Sequence, residues 1–109
     1  MKAPIVAAVL LVAGCAVATA PPGLPGLALV PAADGLDVDG SGGRQIGFGR
    51  DRAGALDSVA RVTGRRPIPV ACGGGRDAFD AGGGLILVFE GRSFVGWRTA
   101  GGAAGRQCP

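Results

Sequence analysis

Three groups of residues in this chain of 109 could do chemistry: the thiols of Cys15, Cys72 and Cys108, the carboxylates of Asp34, Asp37 and Asp39, and glycine runs such as Gly73-Gly74-Gly75. A thiol can attack a substrate, bind a metal, pair with another thiol or accept a lipid. The chain has no histidine, so the usual base for activating a thiol or hydroxyl is missing, as is the commonest metal ligand. Cys72 and Cys108 alone do not fill a tetrahedral zinc shell. The three aspartates run into Gly40 like the start of a calcium loop, but the frame fails. With Asp37 and Asp39 as third and fifth ligands, Gly35 takes the first position and Ile46 the last, where a glutamate is required. The glycines give no G-x-G-x-x-G in any frame, and a phosphate-binding P-loop needs a lysine, which occurs only at Lys2. Asp77, Asp80 and Glu90 read as turn and surface residues. These patterns point away from an enzyme and imply neither a cofactor nor a metal.

Cys15 is different because of what precedes it. Ile5 to Ala13 is an uninterrupted apolar run behind the single charge of Lys2, the layout of an export signal. At about 1.5 Å per helical residue it reaches roughly 14 Å, half of a hydrocarbon core of about 30 Å, so it is too short for a permanent span. Val12-Ala13-Gly14-Cys15 resembles the bacterial lipobox, in which small residues precede a cysteine whose sulfur receives a diacylglyceryl group. The rival is Ala18-Thr19-Ala20, an A-x-A site that would release a soluble chain. Pro21 would then follow the scissile bond, where its fixed φ and missing N–H are unfavourable. The lipobox reading makes residues 1–14 a lipoprotein signal peptide, 15–26 a lipidated terminus with a Pro-rich flexible spacer, and 27–109 one small domain. Each buried methylene contributes about 0.8 kcal/mol, so two or three acyl chains on Cys15 anchor the chain stably. By analogy with lipoprotein sorting, Ala16 after the cysteine implies the outer membrane, facing the periplasm.

An exported chain leaves Cys72 and Cys108 as an even pair in an oxidising compartment, where they are expected to form a disulfide. Closing a loop of about 37 residues stabilises a fold by roughly 3 to 4 kcal/mol on the chain-entropy model. Charge is less informative. Apart from Lys2, ten arginines face eight acids with the signs interspersed, which offers no one-signed, aromatic-bearing patch for nucleic acid. Arg61, Arg65 and Arg66 read as a solvated helix end.

The elements that must hold these residues come from a chain with 22 glycines, 8 prolines and 48% apolar residues, consistent with a folded unit carrying glycine-rich loops. Leu27 to Val30, ended by Pro31, has the character of an edge strand. Leu36 to Asp39 and Gln45 to Phe48 form a hairpin pattern around Gly40 to Gly43. Asp51 to Thr63 reads as a helix with its stripe on Ala53, Leu56, Val59, Ala60 and Thr63, stopped by Gly64 and Pro67. Pro67 to Cys72 reads as a strand, Ala78 to Ala81 as a connector, and Ala100 to Gln107 as a featureless tail.

Leu85 to Phe89 and Phe94 to Trp97 form the strongest β pattern. With Gly91-Arg92 as a two-residue loop, Phe89 faces Phe94, Val88 faces Val95, Leu87 faces Gly96 and Ile86 faces Trp97. Leu85, Leu87, Phe89 and Phe94 then share one face, and Ile86, Val88, Val95 and Trp97 the other. Both are apolar, whereas a sheet packed on one side alternates apolar with polar. The helix covers the first face. The second, with Trp97 at its centre, needs another segment of the chain, the tail, or a partner, and is the candidate interaction face. The resulting expectation is an α+β fold, one helix packed on a small antiparallel sheet.

Ile46-Gly47-Phe48-Gly49, Cys72-Gly73-Gly74-Gly75, Gly84-Leu85 and Phe94-Val95-Gly96-Trp97 together resemble the pattern of small alphaproteobacterial envelope lipoproteins of unknown function, over about residues 44 to 98. Arg76 departs from that pattern, which has a proline there. The resemblance implies an envelope location and no established activity. Some relatives carry the name aspartate-semialdehyde dehydrogenase, but the dinucleotide domain, activated cysteine and histidine base of that chemistry are absent from this chain. The functional expectation is a membrane-anchored periplasmic lipoprotein, a structural or protein-interaction module whose partners are the membrane, through its lipid, and an envelope protein. The alternative is an envelope lipoprotein that binds a small ligand between helix and sheet.

Overall fold

The computed structural model describes residues 23–109. The chain runs β1 (Ala28–Ala32), β2 (Gly35–Asp39), β3 (Gln45–Gly47), α1 (Arg52–Thr63), then β4 (Ile68–Gly73), β5 (Arg76–Asp80), β6 (Ile86–Glu90), β7 (Ser93–Thr99) and β8 (Gly102–Gly105). The first three strands make one antiparallel sheet in chain order, and the last five make a second. Strand accounts for 47% of this span and helix for 14%. The expected α+β fold is therefore corrected to a mostly β one, two sheets with a single short helix between them in sequence. Two segments carry the difference. Ala78 to Ala81, read as a connector, belongs largely to β5, which pairs with both β4 and β6. The tail after Ala100 supplies β8 against β7.

In the first sheet, alternation does what the sequence pattern requires. Leu36 and Val38 are buried while Asp37 and Asp39 face out, and Ile46 is buried opposite Leu36. Of the three aspartates read as turn residues only Asp34 lies in a turn, between β1 and β2, while Asp37 and Asp39 are on the outward face of β2; the Gln45 amide donates to Asp34 at 2.7 Å and to Asp37 at 3.0 Å. Pro31 sits within β1, tolerated because β1 is an edge with one neighbour.

The helix is capped at both ends. Asp51, in extended conformation, accepts from the Ala53 N–H at 3.2 Å, and Gly64, at φ 81°, donates to the Ala60 carbonyl at 2.8 Å. Its buried stripe is Ala55, Leu56, Val59 and Val62. That is rotated from the expected one: Ala53 is exposed, and Ala60 and Thr63 are only half-buried. Leu56 and Val59 are shared with the expected stripe, and Val62 takes the core position instead of Ala60 and Thr63 because its larger aliphatic side chain removes more apolar area from water.

One cluster joins all three layers: Leu36, Val38 and Ile46 from the first sheet, the helical stripe, and Leu87, Phe89, Phe94 and Trp97 from the second. The β6–β7 pairing begins as expected, with Glu90 opposite Ser93 and Phe89 opposite Phe94 around Gly91-Arg92. A bulge then intervenes. Val88 faces Gly96, Leu87 faces Trp97 and Ile86 faces Arg98. One extra residue, Val95, reverses the facing of all that follows, so Trp97 joins Leu87 in the core.

Candidate functional site

The bulge dismantles the expected interaction face. Trp97 is 8% exposed and donates its indole N–H to the Ala32 carbonyl at 2.7 Å, tying the second sheet to the end of β1. Val95 is half-buried, and its carbonyl accepts from the Arg106 N–H at 2.8 Å. Only Ile86 and Val88 stay together on the outer face of the second sheet.

That face is partly covered by the chain itself. After β8 the tail turns back across the sheet and ends against β4, where Cys108 is disulfide-bonded to Cys72 with Cα atoms 5.0 Å apart. Arg76 donates to the Gln107 carbonyl at 2.9 Å, and the Gln107 amide donates to the Trp97 and Ala104 carbonyls at 3.1 and 2.9 Å. Glu90 pairs with Arg106 at 3.0 Å and sits 3.6 Å from Arg76. Val88 is buried at 1% exposure; it faces Ala78, itself 2% exposed. Beside the tail remains a cavity of about 230 Å³ lined by Val70, Ala71, Ile86, Val88, Arg98 and Cys108, among others. On the same face Ile68 and Val70 of the edge strand β4 are 55% and 40% exposed.

Cys15, the apolar run before it and the spacer as far as Pro22 lie outside the described residues. Immediately after them, Gly23 packs so closely against the last turn of α1 that a β-carbon there would strike the Val62 carbonyl, and the Leu24 N–H donates to the Arg61 carbonyl at 3.2 Å. The chain therefore enters the domain at the C-terminal end of the helix.

Next to that entrance lies a larger cavity, about 500 Å³, between α1 and the first sheet. Leu24, Leu27, Val38, Ile46 and Val62 make its apolar floor. Arg44 from the β2–β3 connection, Arg50 from the approach to the helix and Arg61 from its last turn surround it, and no carboxylate lines it. The sequence pattern reads Arg61 as a helix end and gives no signal for the other two, because the three arginines come from three elements. Among the described residues no three His, Cys, Asp or Glu side chains gather as a metal site. No helix among them is long and apolar enough to cross a membrane.

No family model, no curated protein and no solved structure matches this chain.

Proposed function

We propose that the chain is a bacterial envelope lipoprotein, anchored through acyl groups on Cys15 and facing the periplasm from the outer membrane, whose domain serves as a structural or protein-interaction module. The observation that carries this reading is the second sheet's outer face. A disulfide, suited to an oxidising compartment, holds the tail over half of that face, and Ile68 and Val70 stay exposed on the other half at a sheet edge. An exposed apolar strip on the outer face of an edge strand suits a protein partner that covers those side chains. The resemblance to alphaproteobacterial envelope lipoproteins is consistent with this assignment. Mass spectrometry of the mature terminus tests the anchor: a diacylated cysteine at position 15 is expected, and an unmodified terminus at Pro21 overturns it. Ile68→Ser with Val70→Ser tests the face. The pair should abolish crosslinking to a neighbouring envelope protein while the domain melts as before; unchanged crosslinking refutes the assignment.

A second reading, a lipoprotein that binds a small ligand, is favoured by the 500 Å³ cavity between helix and first sheet, which falls within the ordinary range of ligand pockets, about 300 to 1,000 Å³.

A further inference from the structure

We infer that the cavity between α1 and the first sheet takes an acidic amphiphile, with a phosphate or carboxylate head held among Arg44, Arg50 and Arg61 and an alkyl segment lying on Leu24, Leu27 and Val62. This deepens the ligand-binding reading above and rests on it. The argument begins with which arginines are paired. Among the described residues Arg52, Arg66, Arg76, Arg92 and Arg106 each have a carboxylate partner. Arg44, Arg50, Arg61, Arg65 and Arg98 have none, and three of those five surround this one cavity. Of the nearby acids, Asp34 and Asp37 bond to Gln45, Asp57 pairs with Arg66 and Asp51 with Arg92. Asp37 and Asp39 line a separate groove on the other side of Arg44, without an ion pair to it, and neither lines this cavity.

The arginines are also placed by the fold. Ser58, Arg61 and Val62 are three and four positions apart, so they share one side of the helix. Arg50 donates to the Ser58 hydroxyl at 3.2 Å, which spends one of its five N–H donors and sets the guanidinium over the cavity. Three cations without a counter-charge repel one another, and a guanidinium fork matches the oxygens of a phosphate or carboxylate. An inorganic anion alone would leave the floor wet. Leu24 is 49% exposed beside the buried Val38, Ile46 and Val62, an apolar surface that an alkyl chain would cover. No aromatic side chain lines the cavity, so it lacks the stacking platform of a single-stranded nucleic-acid site.

Such a ligand has two sources, a membrane phospholipid or a free fatty acid or lysolipid. Leu24 follows Cys15 by nine residues, which span at most about 30 Å when fully extended, so an anchored domain keeps this cavity within reach of headgroups. The test uses the full chain carrying Cys15→Ser, so that no acyl group of its own competes. Calorimetric titration with dodecyl phosphate below its micellar concentration should show saturable binding, with inorganic phosphate and the neutral dodecyl maltoside weaker by about a hundredfold. Arg44→Gln with Arg61→Gln should weaken dodecyl phosphate about tenfold or more while the melting curve stays put. Leu24→Ser should weaken the dodecyl compound without changing the response to inorganic phosphate. Sedimentation with phosphatidylglycerol vesicles separates the sources: capture that dodecyl phosphate competes away assigns the membrane lipid, and binding of the monomer without vesicle capture assigns the free amphiphile. Dodecyl maltoside binding as tightly as dodecyl phosphate, or the arginine variant binding unchanged, overturns the acidic head while leaving a ligand site. Binding of neither compound overturns the ligand-binding reading as well.

Discussion

The indole N–H of Trp97 donates to the carbonyl of Ala32, 65 positions earlier, at 2.7 Å. It is a bond between the two sheets, made from inside the shared core. Trp97→Phe keeps most of the buried ring and removes only the donor, so the half-buried carbonyl loses its partner. The expected cost is about 1 to 2 kcal/mol. Trp97→Ala also empties the site and should cost about 3 to 5 kcal/mol. Urea denaturation of both variants checks the ordering. Equal stability of Trp97→Phe and the parent would mean that the bond holds nothing together.

The disulfide should matter through what it holds down. Cys72→Ala with Cys108→Ala lengthens the accessible unfolded chain and should cost roughly 3 to 4 kcal/mol on the loop-closure argument. It should also free the tail from Ala78 and Val88, which are nearly inaccessible. Thermal melts with and without a reductant check the stability, with reduction lowering the parent to the level of the double variant. Binding of a hydrophobic dye to the reduced but folded protein checks the uncovering.

What could be read in the chain, and what could not, follows from how each feature is encoded. The helix was legible because Asp51, Gly64 and Pro67 mark both of its ends locally, and the β6–β7 turn because Gly91 supplies φ 60° where the loop needs it. The bulge at Val95 was not. Over Leu85 to Phe89 and Phe94 to Trp97 both faces are apolar, so the pattern within those two segments does not fix the facing of Trp97; only the exposed Arg98 beyond them, turned outward opposite Ile86, carries that signal. Arg76 to Asp80 hides a central strand behind charges that look like a loop, and its place comes from pairing with β4 and β6. Gly102 to Gly105 has no β-forming residue at all and is ordered by β7 and the stapled tail. The arginine cavity is invisible for another reason: Arg44, Arg50 and Arg61 converge only once the helix lies across the first sheet.

Gly96 should resist replacement for a steric reason. It is buried opposite Val88, and the Arg106 backbone lies directly over it, so a β-carbon would run into the Arg106 carbonyl. Gly96→Ala forces the tail outward and should cost roughly 1 to 3 kcal/mol, as overpacking does. Hydrogen exchange locates the damage. The Arg106 amide, bonded to the Val95 carbonyl at 2.8 Å, should exchange faster, while the amides of α1 should not change.

Arg52 offers a test of shape against charge. Its guanidinium lies 5.6 Å from the Phe89 ring centre and 5.7 Å from that of Phe79, pairs with Asp77, and donates to the Gly91 carbonyl at 2.9 Å. One planar group thereby holds the start of α1 against the β6–β7 turn and against β5. A lysine keeps the positive charge but cannot reach ring faces, carboxylate and carbonyl together, because its single nitrogen has no fork. If shape is what counts, Arg52→Lys should lose nearly as much stability as Arg52→Ala, about 1 to 2 kcal/mol at this half-exposed position. If Arg52→Lys instead retains the parent's denaturation midpoint, the ion pair with Asp77 is the whole of the effect. High salt should separate the two cases, since screening weakens an exposed ion pair while leaving the stacked guanidinium and its bond to Gly91 in place.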